Sequence, residues 1–295
     1  MRKFLAFILA LTLTGCAAAP ARDRAVTASA WADDTAEAVY FLTDGGYGGE
    51  ICRFDKAALA VEALGIDAGS VYVYDEVLYY GTMDRIYSLD GSFEIEGGGD
   101  WLFTIDDKFV QSIGYIMGGL YERKSGTRLD WDMDRFPVCG TDGERVFDVR
   151  IDKFGEGKNW HAEYIAEYKG QEIPLVTFTR GQLYPVNPGF HLYDGVVYHK
   201  IHDDHTVRDV MAVDMKTGEK TVLTEADEIV AVAHGKLYYW RGGEFIIRAL
   251  DTGEEVRYAA AALAGRPFVD SYEDRVYLID VAAQTVTLLS QELWR

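Results

Sequence analysis

Histidines and carboxylates crowd together once in this chain. His199, His202, Asp203, Asp204 and His205 fall close together, with His191 eight residues before the first of them. Imidazole nitrogens and carboxylate oxygens at such spacings suit Zn²⁺ or Cu²⁺. Their setting favours a plainer role. Residues 196–201 and 207–214 read as strands, which puts 202–205 on the exposed hairpin between them. Hairpins collect His and Asp because both suit turns and solvent. No metal is therefore assigned to His199, His202, Asp203 and His205.

Asp130, Asp132 and Asp134 have the spacing that opens a calcium loop. Arg135 stands where such a loop needs glycine, and Thr141 where it needs a bidentate glutamate. The run Gly97-Gly98-Gly99 leads into Asp100-Trp101 and a strand-like segment. A phosphate cradle would need a helix N-terminus there, so the glycines read as a connection. The chain has no Gly-x-Ser-x-Gly elbow, His-Glu-x-x-His pair or Walker loop. No catalytic residue and no cofactor follow from its motifs. An acid–base pair assembled from different strands would leave no local motif at all.

The three cysteines divide by position. Cys16 closes a segment that starts with Arg2 and Lys3 and runs through apolar residues from Phe4 to Leu13, broken only by Thr12. A permanent membrane helix needs about 20 apolar residues; a positive start, a shorter apolar core and small residues after it make a secretory signal. The residues Leu13-Thr14-Gly15-Cys16 resemble the lipobox of bacterial lipoproteins. The resemblance implies cleavage before Cys16, a lipid on its thiol, and a protein held at a membrane facing away from the cytoplasm. Ala17, where aspartate would imply inner-membrane retention, points to the outer membrane if the host is Gram-negative. Cys52 and Cys139 remain in a compartment that permits a disulfide. Their spacing excludes a CxxC zinc site, and they are expected in different repeat units.

This gives three parts: a signal peptide over 1–15, a flexible tether over 16–36, small and polar with three consecutive alanines, and a domain over 37–295. The chain carries 48 acidic and 29 basic residues, a formal net charge of −19, and loss of the signal removes two of the positive charges. Nucleic acid is excluded as a partner, because Lys and Arg must replace counterions on phosphate. An acidic surface keeps a tethered domain dispersed and off an anionic bilayer.

The domain repeats. An apolar–aromatic dyad recurs at Val39-Tyr40, Leu78-Tyr79, Val146-Phe147, Val197-Tyr198, Leu237-Tyr238 and Val276-Tyr277, with a weaker copy near Gly114-Tyr115-Ile116. The average period of roughly 40 residues signals a repeat architecture; 153–184 carries extra residues. Acidic or glycine turns such as Tyr193-Asp194-Gly195 precede the dyads, and strands ending in aspartate follow them, at Asp90, Asp214 and Asp251. Short Val-, Ile- and Tyr-rich runs bounded by Gly and Asp are strands. Only 56–64 hints at a helix or decorated turn. Several strands are apolar at nearly every position, so both faces must be covered, as between stacked blades. A two-sheet sandwich would alternate and needs only about 100 residues. The fold predicted is all-β, a β-propeller of about seven four-stranded blades, with six or eight also compatible. Tyr79-Tyr80 and Tyr238-Tyr239-Trp240, at a fixed place in the repeat, read as blade packing.

Asp214 to Glu219, with its Thr217-Gly218-Glu219 turn, and the segment Ala249-Leu250-Asp251-Thr252-Gly253-Glu254 resemble the repeat of quinoprotein-type (PQQ-like) propellers. The tryptophan that ends that repeat is missing, and the match covers two of seven units, so it implies fold and no quinone. The function expected is a monomeric, lipid-anchored binding or interaction module for an envelope protein or an extracellular ligand. One form would be a scaffold resembling the propeller lipoproteins of outer-membrane barrel assembly. The alternative is a surface enzyme or solute-binding protein acting on carbohydrate in the central channel.

Overall fold

The computed structural model describes residues 21–25, 27–44, 48–96, 102–113, 119–129, 135–141, 146–154, 161–168, 170–179, 190–200 and 209–289. Among these, six four-stranded antiparallel sheets and a seventh of three strands follow in chain order, over 32–68, 70–96, 102–129, 135–179, 191–225, 228–259 and, for the three-stranded sheet, 266–288. Each is a simple meander in which consecutive strands pair. These are blades 1 to 7 of a β-propeller.

The dyads explain why the sheets stack in a ring. In blade 1 the second strand, Ala38–Leu42, is buried at all five positions. Successive side chains on a strand point to opposite faces, so each of the two faces needs a partner. Val39 and Phe41 pack on blade 7 with Phe268, Tyr277 and Ile279. Ala38, Tyr40 and Leu42 pack on blade 2 with Val71, Val73 and Leu78. Blade 6 repeats the arrangement: Tyr238 joins the cluster shared with blade 7, while Leu237 and Tyr239 join the one shared with blade 5. Each such fully buried side chain contributes roughly 1.5–3 kcal/mol. The ring closes where Phe54 of blade 1 meets Tyr277 of blade 7 edge to face, with ring centroids 5.3 Å apart.

Five dyads lie on the second strand of their blade, and a sixth, Val146-Phe147, opens the second strand of blade 4, Val146–Phe154. The weaker copy does not. The second strand of blade 3 is Phe109–Ile113, so the unit begins some residues earlier than Gly114-Tyr115-Ile116 implies. The extra residues of the middle lengthen blade 4, whose last three strands, Val146–Phe154, His161–Tyr168 and Gln171–Thr179, are the longest set in the described chain. The segment 56–64 forms no helix. Its first residues turn, with Leu59 at φ 52°, and Ala60–Ala68 is the outer strand of blade 1.

The turns from first to second strand share one geometry. Asp75 and Glu76, Asp194 and Gly195, and His234 and Gly235 all have positive φ, the two-residue turn that matches strand twist. The strand-ending aspartates cap the next turn: Asp214 Oδ1 accepts the N–H groups of Lys216 and Thr217 at 2.8 and 2.7 Å. Asp55 does the same for Ala57 and Ala58. The three-stranded blade is the last one, and no strand from the other terminus completes it among the described residues.

Candidate functional site, the plugged channel

The first strand of each blade faces the propeller axis, and the space between them is filled by the chain itself. Residues 21–25 and 27–30 enter beside the first-turn loops of blades 6 and 7. There the Asp23 N–H donates to the Ser271 carbonyl at 2.6 Å and the His234 N–H to the Asp23 carbonyl at 3.3 Å. The Ala25 N–H donates to the Val232 carbonyl at 2.8 Å. Further on, the Ser29 N–H donates to the Phe103 carbonyl of blade 3 at 2.8 Å, and Ala30 and Val71 of blade 2 exchange a bonded pair at 3.0 and 2.9 Å. The chain then reverses at Trp31 and returns as Ala32–Asp34, the first strand of blade 1.

This corrects the domain boundaries. A flexible tether over 16–36 does not hold for 21–25 and 27–36, because these residues are a channel plug, the first strand of the propeller and the start of the turn after it. Ala25, Ala28 and Ser29 are buried. The residues are small because they are enclosed by strands, the same composition that a solvated linker has.

The plug carries cations onto the carboxylates of the first strand. Arg22 and Arg24 both pair with Asp33, Arg24 at 3.4 Å, and Arg22 Nη1 also donates to the Val73 carbonyl at 2.8 Å. Asp33 accepts the Val73 N–H at 2.6 Å. One residue on, Lys56 Nζ lies 2.9 Å from Asp34 and 3.0 Å from Asp270 of blade 7. Ser271 donates to Asp34 through its N–H at 2.9 Å and its hydroxyl at 2.5 Å. Asp34 and Asp270 are wholly buried. Burial alone would raise the pKa of Asp34, but Lys56, Arg22 and Arg24 outweigh it and the carboxyl is held below its ordinary range. Asp270 is pushed the other way, by burial and by the neighbouring charge of Asp34. Lys56 is held charged because the two carboxylates outweigh its desolvation.

The plug leaves a cavity at each end of the channel. The larger, about 650 Å³, opens among the first-turn loops; Tyr72, Tyr74, Tyr193 and Tyr272 line it with Glu76 and Asp194. The Tyr272 hydroxyl bonds Glu76, and Tyr193 Oη accepts the Gly235 N–H at 2.8 Å. The smaller, about 310 Å³, lies at the opposite end between Trp31, His191, Lys200, Glu228 and Arg266. There the Arg266 guanidinium sits 4.4 Å from the centre of the Trp31 ring.

His199 is fully buried in Val196–Lys200, edge to face with Phe190 at 5.5 Å. Burial pushes its pKa down to about 4. His191 lies on the first strand His191–Tyr193, and burial together with Arg24 lowers it to about 4. The hairpin holding His202, Asp203 and His205 lies outside the described residues, as do Cys16, the acidic run 130–134 and the glycines 97–99. No group of three or more His, Cys, Asp or Glu among the described residues is placed to hold a metal. Cys52 is a free, buried thiol in blade 1, and Cys139 lies on Arg135–Thr141 in blade 4. Tyr79, Tyr238 and Tyr239 are core.

The residues that build the channel were not legible as a set. Arg22, Arg24, Asp33, Asp34, Lys56 and Asp270 come from both ends of the chain, and only ring closure brings them together. The one local signal is the pair Asp33-Asp34 after Trp31-Ala32 and a run of small residues.

No family model matches the chain, and no curated protein does. Among the described residues no helix is long and apolar enough to cross a membrane. A solved structure shares the fold. The extracellular domain of the putative one-component system BT4673 from B. thetaiotaomicron aligns with 91% of this chain at 11% identity and a TM-score of 0.54. This chain spans 40% of that structure's length. An oligogalacturonate lyase in complex with manganese aligns with 88% of the chain and 76% of its own length, at 10% identity and a TM-score of 0.39. The first of these likenesses is of architecture alone: the chain is a β-propeller, and its first described residues lie in the channel.

Proposed function

We propose that the protein is a lipid-anchored, extracytoplasmic binding module that engages an envelope protein or an extracellular ligand through the ends of its propeller. The plug carries this reading. It fills the axis where a propeller enzyme would hold its substrate, and its arginines neutralise Asp33. Lys56 does the same for Asp34 and Asp270. What remains for a ligand is the two mouths and the loops around them. Export agrees with the signal and lipobox residues of the N-terminus. The propeller with the higher TM-score is itself an extracellular domain, and fold alone assigns no ligand.

A second reading has its own observation. Four tyrosines beside carboxylates at the larger mouth suit a sugar, as a solute-binding protein for carbohydrate would need.

The test is a crosslinked pull-down from intact cells with the anchor retained and a Cys16→Ala control. Recovery of one envelope protein at near-equal amount, lost in the control, supports the module. Recovery of none, together with saturable glycan binding that Tyr72→Ala abolishes, replaces it with the carbohydrate reading.

A further inference from the structure

We infer that the anchored propeller stands with the face bearing its first-to-second-strand turns toward the bilayer, held just off it, and turns the opposite face outward. This rests on the lipidation of Cys16 proposed above.

The first described residues fix where the chain leaves the fold. Ala21, Arg22 and Asp23 are exposed, and Asp23 is bonded to Ser271 and His234 in the first-turn loops of blades 7 and 6. The chain thus leaves along the axis, at the larger mouth, and not at the rim. Only four residues lie between Cys16 and Ala21, and the five Cα steps that join them reach at most about 18 Å when fully extended. A domain of this length has a radius of gyration of about 18 Å. The tether therefore cannot pass around the rim, and the propeller cannot lay its other face on the membrane.

Charge sets the gap. Glu37, Asp75, Glu76, Asp107, Asp194 and Glu273, contributed by blades 1, 2, 3, 5 and 7, are exposed on that face and outnumber its exposed cations Arg22, Lys108 and Arg275. Anionic lipid repels such a ring over a Debye length of about 8 Å at physiological salt. Tether and repulsion oppose each other, so the larger mouth opens into a narrow aqueous gap. The smaller mouth, with Trp31 and Arg266, looks away from the membrane and is the side a partner reaches first.

Glu37 and Asp44 report on the two ends of one strand, Ala38–Leu42, and both are exposed. The lipidated protein, with Cys139→Ser and either Glu37→Cys or Asp44→Cys carrying a fluorophore, is placed in vesicles of phosphatidylcholine with a minority of phosphatidylglycerol and a headgroup spin-labelled lipid. Cys52 is buried. Quenching at Glu37 should exceed that at Asp44 by about three-fold or more, since a five-residue strand separates them by about 17 Å. Added salt should raise it further as repulsion is screened. Glu273→Cys and Ala283→Cys in blade 7 give the same comparison if either first variant misfolds. Equal or reversed quenching, with Cys16→Ala protein recovered free of vesicles, overturns the orientation and leaves the anchor standing. Cys16→Ala protein that stays on the vesicles removes the anchor and this inference together.

Discussion

Asp34, on the innermost strand of blade 1, and Glu255, on the outermost strand of blade 6, each gather cations around one carboxylate. Around Asp34 stand Lys56 and the two plug arginines, with Ser271 and Asp270 arriving from the far end of the chain. Around Glu255 stand Tyr239 at 2.8 Å, Arg257 at 2.8 Å, Arg248 at 3.1 Å and Arg241 at 3.2 Å, all from the same sheet. In the first cluster Asp34 and Asp270 are cut off from solvent, whereas in the second the arginines around Glu255 are a quarter to a half exposed. A buried pair is costly to break from one side, because the surviving charge is left without solvent; an exposed pair exchanges its partner for water. The comparison also separates two jobs. The Asp34 cluster joins residues more than two hundred positions apart and locks blade 1 to blade 7. The Glu255 cluster only decorates a sheet that its backbone already holds.

The largest effect should follow Asp34→Ala. Lys56 would keep Asp270 and the Thr35 carbonyl, and Ser271 would lose the acceptor for both its donors. The expected loss is about 3–5 kcal/mol, read as a lower urea midpoint with the slope preserved. A loss under about 1 kcal/mol would mean that apolar contacts such as Phe54 on Tyr277 close the ring unaided. The variant also has a pH signature. Because Asp34 is held below its ordinary pKa, its contribution is present above the unfolded carboxylate range and lost as pH falls through its folded value. Asp270, raised by burial and Asp34, works in the opposite sense, so the two carboxylates of the seam oppose each other as pH falls.

Acid lability should come instead from groups buried with no counter-ion. His191 and His199 are held at about 4, against 6.5 for a free imidazole. Between those values the unfolded chain binds protons that the folded chain refuses, so stability falls as pH drops through 6.5 and levels off near 4. A tenfold difference in proton affinity between the two states is worth about 1.4 kcal/mol, so moving from about pH 7.5 to about pH 5 should cost about 2 kcal/mol per histidine. His199→Phe keeps the edge contact with Phe190 and removes one of the two titrations. Its urea midpoint should fall about half as much between these pH values as that of the parent protein. An unchanged fall would place the lability in the carboxylate clusters.

The blades could be read from the sequence because their rule is local. A strand covered on both sides must be apolar at consecutive positions, so Val39-Tyr40 and Leu237-Tyr238 announce themselves. A two-residue turn needs positive φ, so Asp194-Gly195 marks its own place. The plug hid for the same physical reason in reverse. Between seven inner strands there is room only for small residues, and Ala25, Ala28 and Ser29 look like a linker until the strands around them are known. Asp34, Lys56 and Asp270 are individually ordinary. Their relation exists only once the last blade meets the first. In blade 3 the strand Phe109–Ile113 puts its aromatic before its apolar residue and turns polar at Gln111 and Ser112, which displaced the reading onto Gly114-Tyr115-Ile116.

The smallest effect should be at the rim, and it sharpens the contrast most cleanly. Glu255→Ala removes an acceptor for Tyr239, Arg241, Arg248 and Arg257 at once. Although partial burial opposes ionisation, those donors hold the carboxyl near pKa 2, which by itself suggests a strong interaction. Yet the guanidiniums are a quarter to a half exposed and can turn to solvent. The expected loss is about 1 kcal/mol or less at low salt, shrinking further as salt screens the exposed charges. Asp34→Ala should keep its full cost in the same buffers, since salt does not reach the channel seam. If the two variants responded alike to salt, the seam would be open to solvent and the plug would not seal the axis.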